Sequence, residues 1–369
     1  MIAHILLQGG PAWIFVRLVT VIFTALAVFR LMPVPDRQQP HYKPRPWRGT
    51  LRYGASLGAL ALAATGCVAV AHQVSHHPSA PVVTAAPTVT TRTTPPAGPL
   101  IGMFANGVAT SYTPVQQFAH ATGVTPNVVL AYSNASAPFN IGFANRAHAH
   151  GATPFIQLMP DGVSMKDVAA GRLDVHLRAS ARLVKAFGHQ VILGFASEPN
   201  GSWYPWGFHH TSPQTWVAAW RHVVTVFREA GAVNVTWLWD VNIDSGLRTA
   251  TGPIRDWWPG SKYVTWVGMD GYYIHPHATF SSVFGHTLSA VRRLTAKPVM
   301  IGEVGIGPVS GQARSMPGLF AGARHHHLLG LVYFDVAQHQ GLFHQDWRLE
   351  GRKPALRAFH AGLRSLRAG

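Results

Sequence analysis

The sequence predicts an α/β fold, a (β/α)₈ TIM barrel preceded by an N-terminal membrane or signal region and a linker. Eight short apolar runs alternate with helix-favouring stretches over about 270 residues, which is the size and rhythm of such a barrel. The runs VILGFA and PVMIG are apolar throughout, as expected for parallel strands buried on both faces. No G-x-G-x-x-G follows the first run, which argues against a doubly wound open sheet.

The eight predicted strands are rich in Val, Ile, Leu and aromatic residues, and they cover 100–105, 128–133, 153–159, 191–197, 235–241, 264–273, 299–304 and 329–335. The clearest predicted helices are the amphipathic stretches 173–187, 216–230 and 282–295, with a last helix at 355–366. Together these elements predict one barrel domain over residues 99–369.

Residues 1–72 form the predicted signal or transmembrane region and contain two apolar segments, 13–31 and 55–71. The first segment is long enough to span a bilayer, and the second ends in the small-x-small pattern of a secretory signal. The basic segment between them would stay cytoplasmic by the positive-inside rule. We therefore expect the rest of the chain to be secreted, or anchored at the outer face of the cytoplasmic membrane.

Two topologies fit this region. Either both segments span the membrane as a hairpin, or translation begins at Met32 and only the second segment is a signal or anchor, which we favour. A lipidated form would use Cys67, although Ala64 stands where a larger aliphatic residue is usual. Residues 73–98 are dense in Pro, Thr and Ala and predict an extended linker.

Composition excludes several classes of function. The net charge is +16, but no long basic run or nucleic-acid motif accompanies it, so no nucleic-acid partner is expected. A single Cys excludes an intramolecular disulfide and a cysteine-built metal site. Three adjacent His at 325–327 point in different directions on a helix, and no H-E-x-x-H occurs. We expect no metal, no cofactor and a monomer.

The chain has only four Glu residues, and two of them lie at the ends of predicted strands. Glu198 follows the fourth strand and Glu303 lies near the end of the seventh, whereas Glu229 lies in a helix and Glu350 in a charged turn. Catalytic side chains of a (β/α)₈ barrel lie at the carboxyl ends of its strands. Hydrolysis of a glycosidic bond needs two such carboxyl groups, and a retaining enzyme holds them about 5–5.5 Å apart.

An aromatic loop follows Glu198 directly. It places Trp203, Tyr204 and Trp206 within four positions, with the amide of Asn200 before them. Flat aromatic rings bind the apolar faces of sugars, and an amide both donates to and accepts from sugar hydroxyls. One of the two Trp is expected to pack on the barrel rim instead. The loop thus predicts a carbohydrate-binding cleft beside Glu198.

Three segments carry a specific resemblance. The stretch SEPNGSWYPW at 197–206 resembles the acid/base segment of glycoside hydrolase family 26, the β-mannanase family. The segments DWWPG at 256–260 and YVTWVGMDGY at 263–272 resemble its sixth-strand signature, and KPVMIGEVG at 297–305 resembles its nucleophile strand. The three follow the family order, and the likeness spans roughly residues 99–350.

The resemblance implies a role for each matching residue. Glu198 matches the general acid/base and Glu303 the nucleophile, and Tyr272 matches the tyrosine that helps to hold the nucleophile. The remaining matches are substrate-binding positions. Asn200 matches the amide after the acid, Trp203 and Trp206 match two aromatic residues of the cleft, and Asn242 matches a polar group at the end of the fifth strand. Asp270 lies in the same matched segment as Tyr272, and we give it no substrate contact: a buried residue that fixes its loop by hydrogen bonds is one interpretation of it.

The resemblance further implies a retaining endo-β-1,4-mannanase-like hydrolase that forms a covalent glycosyl-enzyme intermediate and takes a polysaccharide as its partner. Ser197 replaces the family's His and Gly194 stands where an Arg is expected, which weakens the prediction of mannan as substrate. Two alternatives stay open. One is the same mechanism on another β-glycan, such as β-glucan, xylan or an exopolysaccharide. The other is a cell-surface carbohydrate-binding protein without turnover.

Overall fold

The strands close into a barrel in a computed structural model that describes residues 98–244, 251–338 and 345–367. The predicted fold class, a (β/α)₈ barrel, is confirmed. The apolar segments 13–31 and 55–71 and nearly all of the linker 73–98 lie outside the described residues. Within the described ranges, none of the helices has the length and apolar character needed to cross a bilayer.

The barrel has eight parallel strands: β1 Leu100–Phe104, β2 Val128–Asn134, β3 Thr153–Met159, β4 Val191–Phe195, β5 Val235–Asn242, β6 Trp266–Tyr273, β7 Val299–Ile306 and β8 Gly330–Phe334. Each strand pairs with the next along the chain, and β1 pairs with β8 from Leu100↔Gly330 onward, which closes the ring. Because all strands are parallel, their carboxyl ends meet at one end of the barrel and their amino ends at the other.

Eight described α-helices pack around this ring: α1 Thr113–Thr122, α2 Ile141–Ala149, α3 Met165–Ala169, α4 Asp174–Phe187, α5 Pro213–Glu229, α6 His286–Leu294, α7 Val309–His325 and α8 Lys353–Arg367. A 3₁₀ turn at Ile254–Trp257 follows β5, a π turn at Ser281–Gly285 precedes α6, and a two-residue ladder joins β9 Ala337–Gln338 to β10 Gln345–Asp346. The predicted helices 173–187, 216–230, 282–295 and 355–366 correspond to α4, α5, the π turn with α6, and α8.

Helix α5 shows how the sequence directs an element toward the site. Pro213 occupies its first turn, and the side chain of Ser212 caps it by accepting from the Thr215 amide, a contact worth about 1 kcal/mol. Its apolar stripe, which includes Trp216, is buried against the barrel. The Trp216 indole donates to the carbonyl of Ala196 at 3.2 Å, so this helix fixes the chain just after β4.

Two strands, β4 and β7, end two residues away from the predicted position, and the others end within one residue of it. Strand β4 stops at Phe195 rather than at residue 197, because Ala196 and Glu198 adopt left-handed backbone conformations with φ of 46° and 52°. Strand β7 continues to Ile306 rather than ending at residue 304, so Glu303 lies further inside it than predicted. The pairing register of β7 is irregular with both of its neighbours. The β6–β7 register shifts between Met269 and Asp270 of β6, and the β7–β8 register shifts between Ile301 and Val304 of β7.

Candidate active site

Glu198 lies in a strained turn at the carboxyl end of β4. A left-handed conformation costs a residue with a side chain on the order of 1 kcal/mol, and it persists where neighbouring contacts hold it. Here the Glu198 amide donates to the carbonyl of Asp240 on β5 at 2.9 Å, and the Glu198 carbonyl accepts from the Gly201 amide at 3.0 Å. The turn therefore ties the Glu198 backbone to the neighbouring strand.

Both carboxyl oxygens of Glu198 accept hydrogen bonds from residues of the predicted site. The Trp203 indole donates to Oε2 at 2.6 Å and the Asn242 amide donates to Oε1 at 2.5 Å. The side chain is buried. Burial, and then the charge of Glu303, raise the pKa of Glu198 well above its usual range. The hydrogen bonds from Asn242 and Trp203 lower this pKa but do not offset the rise. Glu198 therefore holds a proton near neutral pH.

Glu303 is held by two tyrosines from different strands. The Tyr132 hydroxyl on β2 donates to Oε1, and the Tyr272 hydroxyl on β6 donates to Oε2. Burial raises the pKa of Glu303 to about 7, while these two hydrogen bonds lower it. The pairing register is irregular around Glu303. Irregularities of this kind occur at the rims of barrels, where they change the direction in which a side chain points. Of the two glutamates, Glu303 is the one that the site favours as a carboxylate.

Two further carboxyl groups lie beneath this pair. Asp240 and Asp270 are both buried, and a Cβ built on Gly302 would lie 2.5 to 2.7 Å from the oxygens of both. The Gln157 amide donates to Asp240 Oδ2 at 2.6 Å. Asp240 Oδ1 and both oxygens of Asp270 have no other hydrogen-bond partner among the described residues. A proton shared by the two aspartates would join one oxygen of each and so satisfy two of these three oxygens.

The pKa values of the two aspartates agree with a shared proton. Burial, and then the charge of Glu303, raise the pKa of Asp240 to about 8. Burial, and then the charge of Asp240, raise the pKa of Asp270 well above its usual range. Two carboxyl groups in contact in a dry environment cannot both ionise cheaply. The floor of the site therefore retains a proton at neutral pH.

Gly194 explains how Gln157 reaches Asp240. A Cβ at position 194 would lie 1.8 Å from Gln157 Oε1, so only glycine leaves the space that this amide occupies. The family resemblance led us to expect an Arg at 194. The chain instead places a neutral amide from β3 beside the buried aspartates, and Gln157 had not been predicted from the sequence.

The structure brings together most of the predicted site. Asn242 and Trp203 contact Glu198, and Tyr272 contacts Glu303. Trp203 and Tyr272 are half-buried, so their rings keep some exposed surface. These positions suit a cleft that holds a sugar against both carboxyl groups.

Two predicted sugar contacts are buried. Trp206 is 2% exposed, and its indole donates to the Ser197 carbonyl at 2.9 Å and stacks on Tyr204. Asn200 is fully buried, and its amide bonds both the carbonyl and the amide of Asn242, at 2.8 and 3.0 Å. The Trp206 contact fastens the loop to the chain just after β4 and the Asn200 contacts fasten it to β5, so substrate binding by these two residues stays a prediction.

Besides Gln157, three residues of the site were missed by sequence reasoning. Tyr132 ends the apolar part of β2, and Trp347 stacks on Tyr272 with ring centroids 4.3 Å apart. Asp240 lies on β5, two residues before the predicted Asn242. The convergence of strand carboxyl ends could have identified Tyr132 and Asp240. Nothing in the sequence pattern marks Trp347, which follows β10 outside the barrel strands.

Two buried, hydrogen-bonded glutamates at the carboxyl end of a (β/α)₈ barrel are the arrangement of a barrel glycoside hydrolase. The model of "Glycosyl hydrolase family 26" matches residues 161–306, a range that includes Glu198 and Glu303. Over this range the chain matches glycosyl hydrolase family 26, which supports a catalytic domain of that family.

Characterised relatives differ in the substrates that they are named for. The chain is 27% identical to endoglucanase H of Acetivibrio thermocellus over 273 residues, 70% of this chain and 29% of that protein. It is 35% identical to the beta-1,3-xylanase TXYA of a Vibrio species over 113 residues, 29% of this chain and 23% of that protein. The chain thus spans less than a third of the length of these relatives.

Solved structures share the fold. The modular endo-beta-1,4-mannanase of Cellulomonas fimi aligns with a TM-score of 0.56 and 18% identity, over 72% of this chain and 70% of that one. The GH26 domain of the Prevotella bryantii endo-beta-mannanase/endo-beta-glucanase aligns with a TM-score of 0.53 and 14% identity, over 72% and 88%. At this identity the likeness supports the barrel architecture.

Proposed function

We propose that the chain is a retaining glycoside hydrolase that cleaves a β-linked polysaccharide. The observation that carries this proposal is the unequal environment of two buried glutamates. Glu198 keeps its proton because of burial and the neighbouring charge, whereas two phenolic hydroxyls stabilise the ionised form of Glu303. A pair of carboxyl groups whose pKa values are pushed apart divides the roles of acid and nucleophile.

In the first step, the Glu198 proton passes to the glycosidic oxygen as the bond between that oxygen and the anomeric carbon breaks. A Glu303 carboxylate oxygen forms a new bond to the same carbon, which gives a covalent glycosyl-enzyme and releases the leaving sugar as an alcohol. Tyr132 and Tyr272 hold the attacking carboxylate in position. Asn242 and Trp203 hold Glu198.

In the second step, the Glu198 carboxylate takes a proton from water as the water oxygen bonds to the anomeric carbon. The bond between this carbon and Glu303 breaks in the same step, and both side chains return to their starting protonation states. Two inversions at one carbon leave its configuration unchanged. The product is therefore released as the same anomer as the substrate.

β-1,4-Mannan is the first substrate we propose. The family resemblance supports it, as does a match of 27% identity over 98 residues to a mannan endo-1,4-beta-mannosidase of Caldalkalibacillus mannanilyticus. A second candidate is another β-glycan cleaved by the same mechanism. The names of the endoglucanase and β-1,3-xylanase relatives support this second candidate, and so do Ser197 and Gly194, which depart from the mannanase pattern.

We also propose that the enzyme is a monomer and works outside the cytoplasmic membrane, either secreted or anchored there. The two apolar segments and the basic stretch between them support this location. An extended linker would allow the barrel to reach polymer at the cell surface.

A polysaccharide panel with product sizing tests activity, substrate and mode of cleavage together. We expect the wild type to release short oligosaccharides from one β-linked polymer, and we expect Glu198→Ala and Glu303→Ala to lose this activity. For Glu198→Ala the loss in kcat should be about 10²- to 10⁴-fold. Glu229→Ala is the matched control, because Glu229 is an exposed residue of α5 paired with Arg178. Binding without turnover in the wild type would favour a carbohydrate-binding protein.

Azide separates the roles of the two glutamates. An activated aryl glycoside needs little protonation, so Glu198→Ala should form the glycosyl-enzyme readily and hydrolyse it slowly. Azide should then speed turnover and yield a β-glycosyl azide. Glu303→Ala should not respond in this way, and identical behaviour of the two variants would contradict the assignment of roles.

A further inference from the structure

The amino end of the barrel carries a concentration of basic side chains. The last turns of the helices and the turns into the following strands all lie at this end, because each helix runs antiparallel to the strands. We call these residues the basic end; its Lys and Arg members, exposed or half-buried, are Lys185, Arg228, Lys262, Arg292, Arg293, Lys297, Arg324, Arg364 and Arg367. Seven His accompany them, namely His120, His148, His150, His189, His325, His326 and His327.

Acidic residues are nearly absent from the same turns. In the described part of the chain, Glu229 is the one acidic residue among them, and it pairs with Arg178 at 3.4 Å. Acidic side chains instead follow strands or begin helices, as Asp161, Asp244 and Glu350 do. The rest of the described barrel carries twelve Lys and Arg residues against twelve acidic ones, so the excess positive charge of the described residues is concentrated at the basic end.

Helix dipoles account for only part of this distribution: seven of the nine Lys and Arg residues lie in last helical turns. The helix dipole stabilises a cation near the carboxyl terminus and an acid near the amino terminus. If the dipole alone set this distribution, acids in first turns should be as common as cations in last turns. Of the described α-helices, only α3 and α4 have an acid in the first turn, Asp167 and Asp174. Lys262 and Lys297 lie in turns beyond the helices. The excess of cations needs another explanation.

We propose that the basic end docks on an anionic lipid surface and holds the cleft at the opposite end away from the membrane. Charge complementarity is the first reason, because each Lys or Arg near an anionic bilayer adds to the attraction. The second is connectivity. Strand β1 begins at Leu100 at this same end, so the preceding chain, with its apolar segments, joins the barrel there.

The character of the surface separates lipid from other anionic partners. No Phe, Trp or Tyr side chain of the described residues is exposed, and their exposed large apolar side chains are Val175, Val233 and Val309. Nucleic-acid bases and sugar rings are bound largely by stacking on aromatic platforms. Tyr263 at the basic end is half-buried, and Arg228 and Lys262 already lie over its ring. Charge spread around a ring of turns fits a broad anionic plane.

Lysine footprinting of the full chain tests this orientation. Lys185, Lys262 and Lys297 belong to the basic end, whereas Lys166 and Lys353 begin helices at the carboxyl end and serve as internal references. The full chain would be mixed with vesicles of phosphatidylcholine alone or with added phosphatidylglycerol, and then acetylated with an N-hydroxysuccinimide ester. We expect acetylation of the three basic-end lysines to slow about threefold or more with phosphatidylglycerol, and to recover in about 0.5 M salt because of screening.

Charge reversal supplies the matched comparison. Arg292→Glu, Arg293→Glu and Arg324→Glu combined in one protein should abolish the protection. A control triple changes net charge equally through exposed Arg residues away from the basic end: Arg172→Glu, Arg314→Glu and Arg357→Glu. We expect the control to keep the protection.

Several results would overturn the proposal. They are equal acetylation with both kinds of vesicle, equal protection of Lys166 and Lys353, and equal loss of protection in the two triple variants. Protection by soluble polygalacturonate or RNA, but not by phosphatidylglycerol vesicles, would assign the surface to a soluble polyanion instead. Because no readout depends on hydrolysis, failure here is distinguishable from failure of the proposed function.

Discussion

Glu303 accepts a hydrogen bond at each carboxylate oxygen, and this arrangement has a consequence for the pH dependence of activity. Burial raises the pKa of Glu303 to about 7, and the two tyrosine hydroxyls oppose that rise. Since the proposed nucleophile is the ionised form, activity should increase as pH rises through this pKa. It should decrease again as Glu198 loses its proton at higher pH.

Tyr272→Phe should therefore move the acidic limb of the kcat/KM profile to higher pH. The variant loses a donor to the carboxylate, which raises the pKa of Glu303 by about one unit. Tyr132→Phe should act in the same direction. Tyr263→Phe is the control, because Tyr263 lies among Arg221, Arg228 and Lys262, outside the site. An unmoved acidic limb in Tyr272→Phe would show that Glu303 does not control it.

Ionisation of Asp240 should lower the free energy of unfolding as pH rises. Its pKa is raised to about 8 in the folded protein, against about 3.9 when unfolded, so the folded state binds more protons between these values. The free energy of unfolding should fall with rising pH in this window, by up to about 1.4 kcal/mol per pH unit for this one group.

Asp240→Asn should flatten that dependence. An amide at this position keeps an oxygen for the Gln157 donor and an N–H for Asp270, but it does not titrate. Urea unfolding measured from pH 5 to 8 should show a smaller loss of stability in the variant than in the wild type. Asp256→Asn, at an exposed position, is the control. An unchanged slope in Asp240→Asn would mean that Asp240 is ionised throughout.

At the scale of single residues, the sequence predicts a residue well when its type is rare in the chain. It predicts a residue poorly when its role depends on contacts with other elements. Glu198 and Glu303 could be found because the chain has four Glu and two follow apolar runs. Whether Trp203 or Trp206 faces a ligand depends on how one loop folds, and both match the same pattern. The Gln157 contact depends on the missing side chain of Gly194 on the next strand, which periodicity does not reveal.

Elements were predicted well where hydrophobic periodicity specifies them. The eight strands and the amphipathic helices follow from apolar runs and spacing. The end of β4 was misplaced because the backbone turns at Ala196 and Glu198 within an apolar sequence. Such a turn is imposed by contacts from other elements, such as the Trp216 indole of α5, and not by local propensity.

Two helical glycines give an opposite pair of predictions at the scale of elements. A Cβ on Gly318 of α7 meets no atom within 4 Å, whereas a Cβ on Gly362 of α8 would lie 2.1 Å from the Phe320 ring of α7. Gly318→Ala should stabilise the protein by about 0.5–1 kcal/mol through helix propensity. Gly362→Ala should destabilise it by about 1–3 kcal/mol, because α8 must move away from α7.

Thermal or urea unfolding of both variants measures this difference. Each variant is the control for the other, since both gain the same helix propensity. Equal shifts of the two variants would contradict the close packing of α8 on α7.

The whole molecule combines a buried acidic cleft at one end of the barrel with a basic surface at the other. The closed parallel topology produces this separation, because it sends every strand's carboxyl end to one side. The sequence alone gave the net charge of +16 but not its placement, since the basic residues are dispersed along the chain. They come together only when successive helices end side by side.

The central claim is that Glu303 forms a covalent bond to the substrate while Glu198 transfers the proton. A 2-deoxy-2-fluoro β-glycosyl fluoride of the sugar found by the panel should accumulate the glycosyl-enzyme, because fluorine slows its hydrolysis. Peptic digestion and tandem mass spectrometry would then locate the label. The account predicts one sugar per chain on Glu303, and none in Glu303→Ala. A label on Glu198, or turnover without a covalent adduct and with inversion of the product, would contradict it.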